Sequence, residues 1–130
     1  MNVSYDGSRK WVFVRATGVL ELNDVLRLIG TARADIEHRM WPMLFDARSA
    51  TTTVTHDDVE GAVEAVAGAL RAQGERGHVA LVADDDVLYD RMLLYETRCA
   101  EVGVKVIRAF RQLADAERWL EIVSAARYFR

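Results

Sequence analysis

The six-residue run over residues 78–83 constrains the fold of this chain more than any other segment. It reads HVALVA, is apolar and partly β-branched, and lies between Gly77 and three consecutive aspartates. A run of this length without polar alternation is typical of a strand that is covered on both faces. Strands of that kind belong to sheets that lie between layers of helices. The segment therefore predicts a buried strand in an α/β protein.

Further strand candidates lie on either side of this run. Residues 2–5 and 10–16 are predicted to form a hairpin with its turn at Asp6-Gly7, because Asp and Gly tolerate the positive φ of tight turns. The second of these strands is expected to end at Thr17-Gly18. Two more short apolar runs, over residues 43–47 and 104–110, complete the set of predicted strands.

Four segments carry apolar residues at three- and four-residue spacing, which predicts four amphipathic helices. The first is expected to reach Ile36, with Pro42 beyond its end. The second has a thin, alanine-rich face and is followed by Gly74 and Gly77, which favour a helix stop. The four apolar stripes are Leu22, Val25, Leu26, Ile29, Ala32 and Ile36; Val59, Val63, Val66, Ala67 and Leu70; Leu88, Met92, Tyr95, Cys99 and Val102; and Ala116, Trp119, Leu120 and Val123.

The predicted strands and helices alternate along the chain. Alternation of this kind implies right-handed crossovers and a mostly parallel sheet, to which the N-terminal hairpin adds one antiparallel strand at an edge. We therefore expect an α/β fold with a mixed five-stranded sheet and four helices, in a single domain over residues 1–130. The chain length of 130 residues suits one hydrophobic core.

Composition argues against several classes of function. The net charge is −3 and the arginines are scattered, whereas a nucleic-acid-binding domain gathers a basic surplus on one face. No window approaches the roughly 18 apolar residues that a membrane span requires, and the N-terminus lacks the pattern of a signal peptide. Cys99 has no cysteine partner for a disulfide. We therefore expect a cytoplasmic protein that binds no nucleic acid and does not span a membrane.

The sequence shows no pattern of residues that is typical of a catalytic site or a metal site. His38, His56 and His78 form no recognisable ligand pair. Asp84-Asp85-Asp86 could offer oxygen ligands to a divalent cation, but consecutive side chains point in different directions and a helix start explains them better. No nucleophile–base pair or glycine-rich phosphate loop is visible. We therefore predict no catalytic residue, no metal and no cofactor, and rank an enzyme last.

Short segments spread over nearly the whole chain match those of a known fold. They are Gly18 after the second strand, Leu44-Phe45-Asp46-Ala47-Arg48, Val79-Ala80-Leu81-Val82, Tyr89-Asp90-Arg91-Met92, and Phe110-Arg111 followed by Ala116-Glu117-Arg118-Trp119-Leu120. Together they resemble the SpoIIAA-like branch of the STAS fold, the anti-sigma-factor-antagonist-like domains. The resemblance implies a single STAS-like domain, a fold that also looks similar to lipid-binding CRAL-TRIO domains.

In the STAS antagonists, a serine at the start of the second helix is phosphorylated and switches binding to a partner kinase. Its motif, Asp-Ser followed by Ser or Ala and then Gly, does not occur here. An alternative interpretation is that Thr55 caps the second helix by accepting the N–H of Asp58, beside carboxylates that would repel a phosphate. The nearest equivalents by position, and hence the candidate switch residues, are Ser49, Thr51, Thr52, Thr53 and Thr55.

Three arginines are candidates for anion contacts. Arg48 and Arg111 follow predicted strands, and Arg91 lies in the first turns of the third helix. The carboxyl ends of parallel strands form the edge where α/β sheets bind ligands, so the three could receive an anion or a polar headgroup. The alternative is that they form surface ion pairs with neighbouring aspartates, each of which contributes little to stability.

Two functional hypotheses follow. The first is a non-enzymatic STAS-like interaction module, a homodimer, that binds a protein partner through the 48–58 loop and the second helix. The second is a carrier or sensor of a small anionic or lipid-like ligand at the strand C-terminal edge. A carrier should contain an apolar pocket of roughly 300 Å³ or more beneath that loop. Tyr128 and Phe129 are further candidates for a contact between copies, and the alternative is that they belong to a disordered end.

Overall fold

A mixed five-stranded sheet forms the centre of the protein, whose computed structural model describes residues 1–128 and the side chains up to residue 125. The strands are β1 (Asn2–Asp6), β2 (Trp11–Leu20), β3 (Met43–Thr52), β4 (Val79–Val82) and β5 (Ile107–Phe110). They lie side by side in chain order, with β1 antiparallel to β2 and every other pair parallel. The side chains of Tyr128 and Phe129 lie outside the described part of the chain.

Four helices cover the sheet, three on one face and one on the other. They are α1 (Leu22–Thr31), α2 (His56–Gln73), α3 (Asp86–Glu101) and α4 (Leu113–Tyr128). Because α1, α2 and α3 each connect neighbouring parallel strands, crossovers of one hand place all three on the same face. The predicted α/β fold with a mixed sheet and four helices is confirmed. Within residues 1–128, no helix combines the length and the apolar character that crossing a bilayer requires.

Alternate residues of the central strands serve two separate cores. In β3, Phe45 faces the larger core beneath α1–α3, while Leu44 faces the smaller core beneath α4. Trp11 and Val82 contribute to the smaller core, where Leu120 of α4 is fully buried. This two-sided burial explains why the β4 sequence shows no polar alternation.

Strands β2 and β3 are longer than the sequence predicted. They continue together through the pairs from Thr17–Ser49 to Leu20–Thr52, so the predicted break at Thr17-Gly18 is wrong. Between Arg15 and Thr17 the register shifts, because β3 carries one extra residue there, and Gly18 adopts a φ of +73°. A bulge and a glycine thus absorb the irregularity without ending the strand.

The predicted 48–58 loop is therefore mostly regular structure. Residues 48–52 belong to β3, residues 56–58 belong to α2, and only residues 53–55 connect the two elements. The prediction of a loop failed because Ser and Thr clusters are typical of connections, whereas pairing with β2 supplies these residues with backbone partners.

Helix α1 ends five residues before the predicted end at Ile36, whose side chain is 86% exposed. Long-range donors replace the hydrogen bonds that would continue the helix. Arg76 donates to the carbonyl oxygen of Ile29, and Tyr5 donates to that of Ala32.

Strand β5 also starts later than predicted, because the Val104 N–H donates to the Cys99 carbonyl at the end of α3.

The helix starts agree with the sequence. Thr55 caps α2 by accepting the Asp58 N–H at 3.1 Å, and the Asp58 carboxylate accepts the Thr55 N–H at 3.0 Å. Asp85 caps α3 by accepting the Leu88 N–H at 3.0 Å. The predicted roles of Thr55 as a cap and of the aspartate run as a helix start are confirmed.

Gly77 lies closer to another part of the backbone than any larger residue could. A Cβ atom there would clash with the carbonyl of Met40 and would lie 2.7 Å from the Trp41 oxygen. We predict that Gly77→Ala lowers the free energy of unfolding by about 2 kcal/mol or more, measured by urea denaturation.

Gly61 in α2 is the matched control, because a Cβ there meets nothing within 4 Å. Gly61→Ala should raise the free energy of unfolding by about 0.5–1 kcal/mol, as expected for an exposed helix position. Equal effects of the two substitutions would contradict the close approach at Gly77.

Candidate ligand-binding site

Arg48 is paired with the aspartate two residues before it. Its Nε and Nη2 atoms donate to the two carboxylate oxygens of Asp46, each at 2.9 Å, and its backbone N–H donates to Asp46 Oδ1 at 3.2 Å. The side-chain hydrogen bond from Arg48 is the main reason that the pKa of Asp46 lies below its ordinary value. The charge of Arg48 is thus balanced locally at the β3 bulge.

Arg91 and Arg111 also have local partners. Arg91 donates from Nε to the Val54 carbonyl at 2.9 Å and from Nη1 to Asp90 at 2.6 Å. Arg111 donates to the Asp84 carbonyl and to the Asp86 carboxylate, each at 2.8 Å, and its guanidinium lies 4.2 Å from the Tyr89 ring centroid. Each of the three predicted arginines therefore forms an ion pair with a neighbouring aspartate.

The five hydroxyl candidates divide into two groups. Thr52 donates to the Leu20 carbonyl at 2.7 Å and accepts the Val54 N–H at 3.0 Å, and Thr55 serves as the α2 cap. Ser49, Thr51 and Thr53 are exposed and, within the described part of the chain, are not engaged in a cap or in such backbone hydrogen bonds of their side chains. A modifying enzyme would meet the exposed group without breaking a backbone contact.

A partly open cavity of about 110 Å³ lies against the larger core, between the sheet and helices α1–α3. Its walls are mostly aliphatic and aromatic, with contributions from all three helices and from the central strands. Of the residues predicted for a site, only Thr52 and Arg91 belong to its lining. Representative apolar lining residues are Val25, Phe45, Val59, Ala62, Leu81 and Met92.

Two further arginines line this cavity, and the sequence-based prediction did not include them. Arg33 and Arg76 are only 4% and 6% exposed. Arg33 Nη1 donates to the carbonyls of Trp41 at 2.9 Å and Gly77 at 2.7 Å. Arg76 donates from Nη1 to the Ile29 carbonyl at 2.6 Å, and its Nε is buried without a hydrogen-bond acceptor.

Among the side chains of residues 1–125, no carboxylate balances the charges of Arg33 and Arg76, because neither guanidinium takes part in an ion pair there. Burial, and then repulsion by Arg76, lowers the pKa of Arg33 to about 10. Burial, and then repulsion by Arg39, lowers the pKa of Arg76. This end of the cavity is therefore positive and poorly solvated.

The position of Arg33 could not be read from the helical pattern. If α1 continued to Ile36, Arg33 would lie on its polar face, but α1 ends at Thr31 and the arginine turns inward. Arg76 lies between two glycines in a short polar connection, which is typical of an exposed residue. Only the long-range contacts of these two side chains reveal their burial.

Tyr95 and Cys99 form a neutral pair on the buried side of α3. Burial raises the pKa of both groups, that of Cys99 to about 11. A thiol with so high a pKa carries little thiolate near neutral pH, and thiolate is the nucleophilic form. The geometry thus suits packing, the role expected for Cys99.

A second concavity of about 450 Å³ lies at the opposite edge from the predicted ligand site, where the parallel strands begin. Glu75, Arg76, Lys105 and Val123 are among the residues that line this groove. Arg76 lines both the groove and the interior cavity. Its guanidinium therefore lies where the outer surface and the cavity approach each other.

Comparison with known proteins assigns no family to the chain. No family model, no curated protein and no solved structure gives a significant match. The resemblance to STAS domains therefore remains a prediction, and the case for a function depends on the geometry of the site.

The pair of Asp46 and Arg48 gives a titration test. A lowered pKa in the folded state means that Asp46 contributes stability above its ordinary pKa, about 3.9, and loses it as the pH falls through the lower folded value. We predict that Arg48→Gln raises the pKa of Asp46 toward the ordinary value, measured by NMR titration of the carboxyl carbon. Arg111→Gln, whose partner is Asp86, should leave that pKa unchanged; an equal rise in both variants would contradict the assignment.

Proposed function

We propose that this protein binds a small molecule whose apolar part occupies the cavity between the sheet and helices α1–α3. The observation that carries the proposal is the cavity itself. Protein interiors are close-packed, and voids larger than one water molecule are few. A space of about 110 Å³ is roughly four times the volume that one water takes up in the liquid, and its apolar walls offer water few partners.

The size of the cavity limits the ligand. The volume falls short of the roughly 300 Å³ typical of sites for drug-sized molecules. An apolar cavity of about 150 Å³ in another protein accepts benzene, so about 110 Å³ suits a molecule of roughly four to six heavy atoms. A ligand of this size is smaller than the lipid-like ligand of the second sequence-based hypothesis. The cavity also favours a binding position in the core over one beneath the 48–58 loop.

Filling the cavity from α2 tests whether the space is real. Ala62 lines the cavity, and Ala62→Leu adds three carbon atoms where room exists. We predict that this substitution changes the free energy of unfolding by less than about 1 kcal/mol, because it fills space without displacing neighbours. Ala116 on α4 is the matched control, since it is fully buried in the smaller core and lies outside the cavity lining. Ala116→Leu should cost about 1–3 kcal/mol in urea denaturation.

Binding is tested in the same pair of variants with 1-butanol as the probe. Methyl resonances of Val59 and Leu81, which line the cavity, should shift in the wild type and in Ala116→Leu but not in Ala62→Leu. Shifts that persist when the cavity is filled, or a wild type that shows none, would contradict the proposed function.

We propose, as a second function, that residues 48–52 and the paired end of β2, on the face of the sheet opposite to α2, contact a protein partner or a second copy of the chain in a homodimer. The supporting observation is the part of β2 and β3 that extends beyond the last pair between β3 and β4, at Asp46 and Val82. Its outer face exposes Val19, 55% accessible, beside its strand partner Thr51 and the hydroxyl of Ser49. An exposed β-branched residue among hydroxyls suits a small contact surface.

Analytical ultracentrifugation over a concentration series tests the homodimer. We predict that Val19→Arg weakens self-association at least about 10-fold, because a charge would be buried at the contact. Ile36→Arg is the control, since Ile36 is even more exposed but lies in the connection between α1 and β3. A monomeric wild type throughout, or equal effects of both substitutions, would contradict self-association through β2 and β3.

A further inference from the structure

We infer that the bound small molecule is a carboxylate, with its anionic end between Arg33 and Arg76 and its aliphatic end in the cavity. The inference rests on the proposed small-molecule function and adds the chemical class and orientation of the ligand. It also places the anion at the end of the cavity opposite to the predicted arginines, near the start of β3 and β4.

The positive charges of Arg33 and Arg76 lack a negative partner among the described side chains. Arg33 and Arg76 are both nine-tenths buried and both line the cavity. Buried charges in proteins are normally paired, because an unpaired ion loses its hydration without compensation. The two guanidiniums also repel each other, and Arg39 adds a third positive charge nearby. An anion between Arg33 and Arg76 would be attracted to both guanidiniums and would offset part of their repulsion.

The backbone does not satisfy all the N–H donors of Arg33 and Arg76. Carbonyl groups accept from Arg33 Nη1 and from Arg76 Nη1, and the Gln73 side chain accepts from Arg76 Nη2 at 2.8 Å. These acceptors are neutral dipoles, so they leave two full positive charges in place. Arg76 Nε remains a buried donor without an acceptor. A carboxylate supplies both the charge and the oxygen acceptors, and its planar shape fits the guanidinium fork.

A carboxylate with a short tail fits this cavity better than a bare anion does. The cavity beside the arginines is apolar, so an ion such as phosphate would engage the charges and leave the aliphatic walls without a partner. The available volume of about 110 Å³ suits a tail of roughly three or four carbons. Acids of about butyrate size satisfy both parts of the site, whereas an octanoate chain exceeds the space.

A purely structural role for the arginines is the alternative to be tested. Arg76 holds the Ile29 carbonyl in the last turn of α1, and basic groups are favourable at helix C-termini. Arg39 provides the matched control. It donates to the Gln73 carbonyl at the end of α2 at 2.6 Å and also has a buried Nε without a partner, but it lies outside the cavity lining.

The experiment is isothermal titration calorimetry of the full chain with butyrate, 1-butanol, octanoate and inorganic phosphate. We expect butyrate to bind the wild type more tightly than the other three. Arg33→Met and Arg76→Met should each weaken butyrate binding by roughly 10- to 100-fold, the range for a charge-assisted hydrogen bond. Arg39→Met should change it less than about 3-fold, because Arg39 is not in the cavity wall.

A readout in the wild type keeps the test valid if a variant fails to fold. Butyrate should shift the ¹H–¹⁵N signal of Arg76 Nε, a buried donor without a partner in the cavity wall, and leave those of Arg48 and Arg111 in place. Shifts confined to Arg48 and Arg111 would overturn the inference.

The remaining outcomes separate the inference from the proposed function. Binding of 1-butanol without butyrate would overturn the carboxylate and leave a small-molecule function standing, while binding of neither would overturn both. Phosphate binding as tight as butyrate would show a bare anion site, and tighter binding of octanoate would refute the size assignment. Equal losses in Arg39→Met and Arg76→Met would show that the arginines act only on the fold.

Discussion

The hydrogen bonds of Arg33 to the carbonyls of Trp41 and Gly77 are the interaction on which the rest of the larger core depends. They join the connection before β3 to the connection before β4, two segments that are far apart in the chain. The close approach of Gly77 to the same backbone brings the starts of these strands together. Because Arg33 must turn inward to make these contacts, α1 cannot continue past Thr31, and its last carbonyls accept from Arg76 and Tyr5 instead.

The cavity follows from the way the layers cover the sheet. Crossovers of one hand place α1, α2 and α3 on one face, so that face must be filled by side chains from three helices at once. Helix α2, in the middle of that layer, offers small side chains such as Ala62 and Val59 toward the sheet. Small residues in the middle of the layer leave space that the flanking helices do not fill. The opposite face is covered by α4 alone, where Leu120 is fully buried.

Local patterns predicted the architecture well, because they report on burial and on chain direction. The run in β4, the helical stripes and the caps at Thr55 and Asp85 all follow from the periodicity and side-chain chemistry of neighbouring residues. The extension of β3 did not follow, because the preference of Ser and Thr for connections was overridden by pairing with β2. The inward arginines did not follow either, since Arg33 meets its acceptors 8 and 44 residues away. A pattern among neighbouring residues does not predict contacts between residues that are far apart in the chain.

In our proposal, a small anionic molecule occupies the cavity beneath α2, rather than the groove or the strand C-terminal edge. Intermolecular nuclear Overhauser effects between bound butyrate and ¹³C-labelled methyl groups test it most directly. We predict contacts from the butyrate methyl group to Val59, Val66 and Leu81, three residues of the cavity lining. Contacts only to Val104 and Val123 of the groove, or only to residues near Arg48 and Arg111, would contradict it.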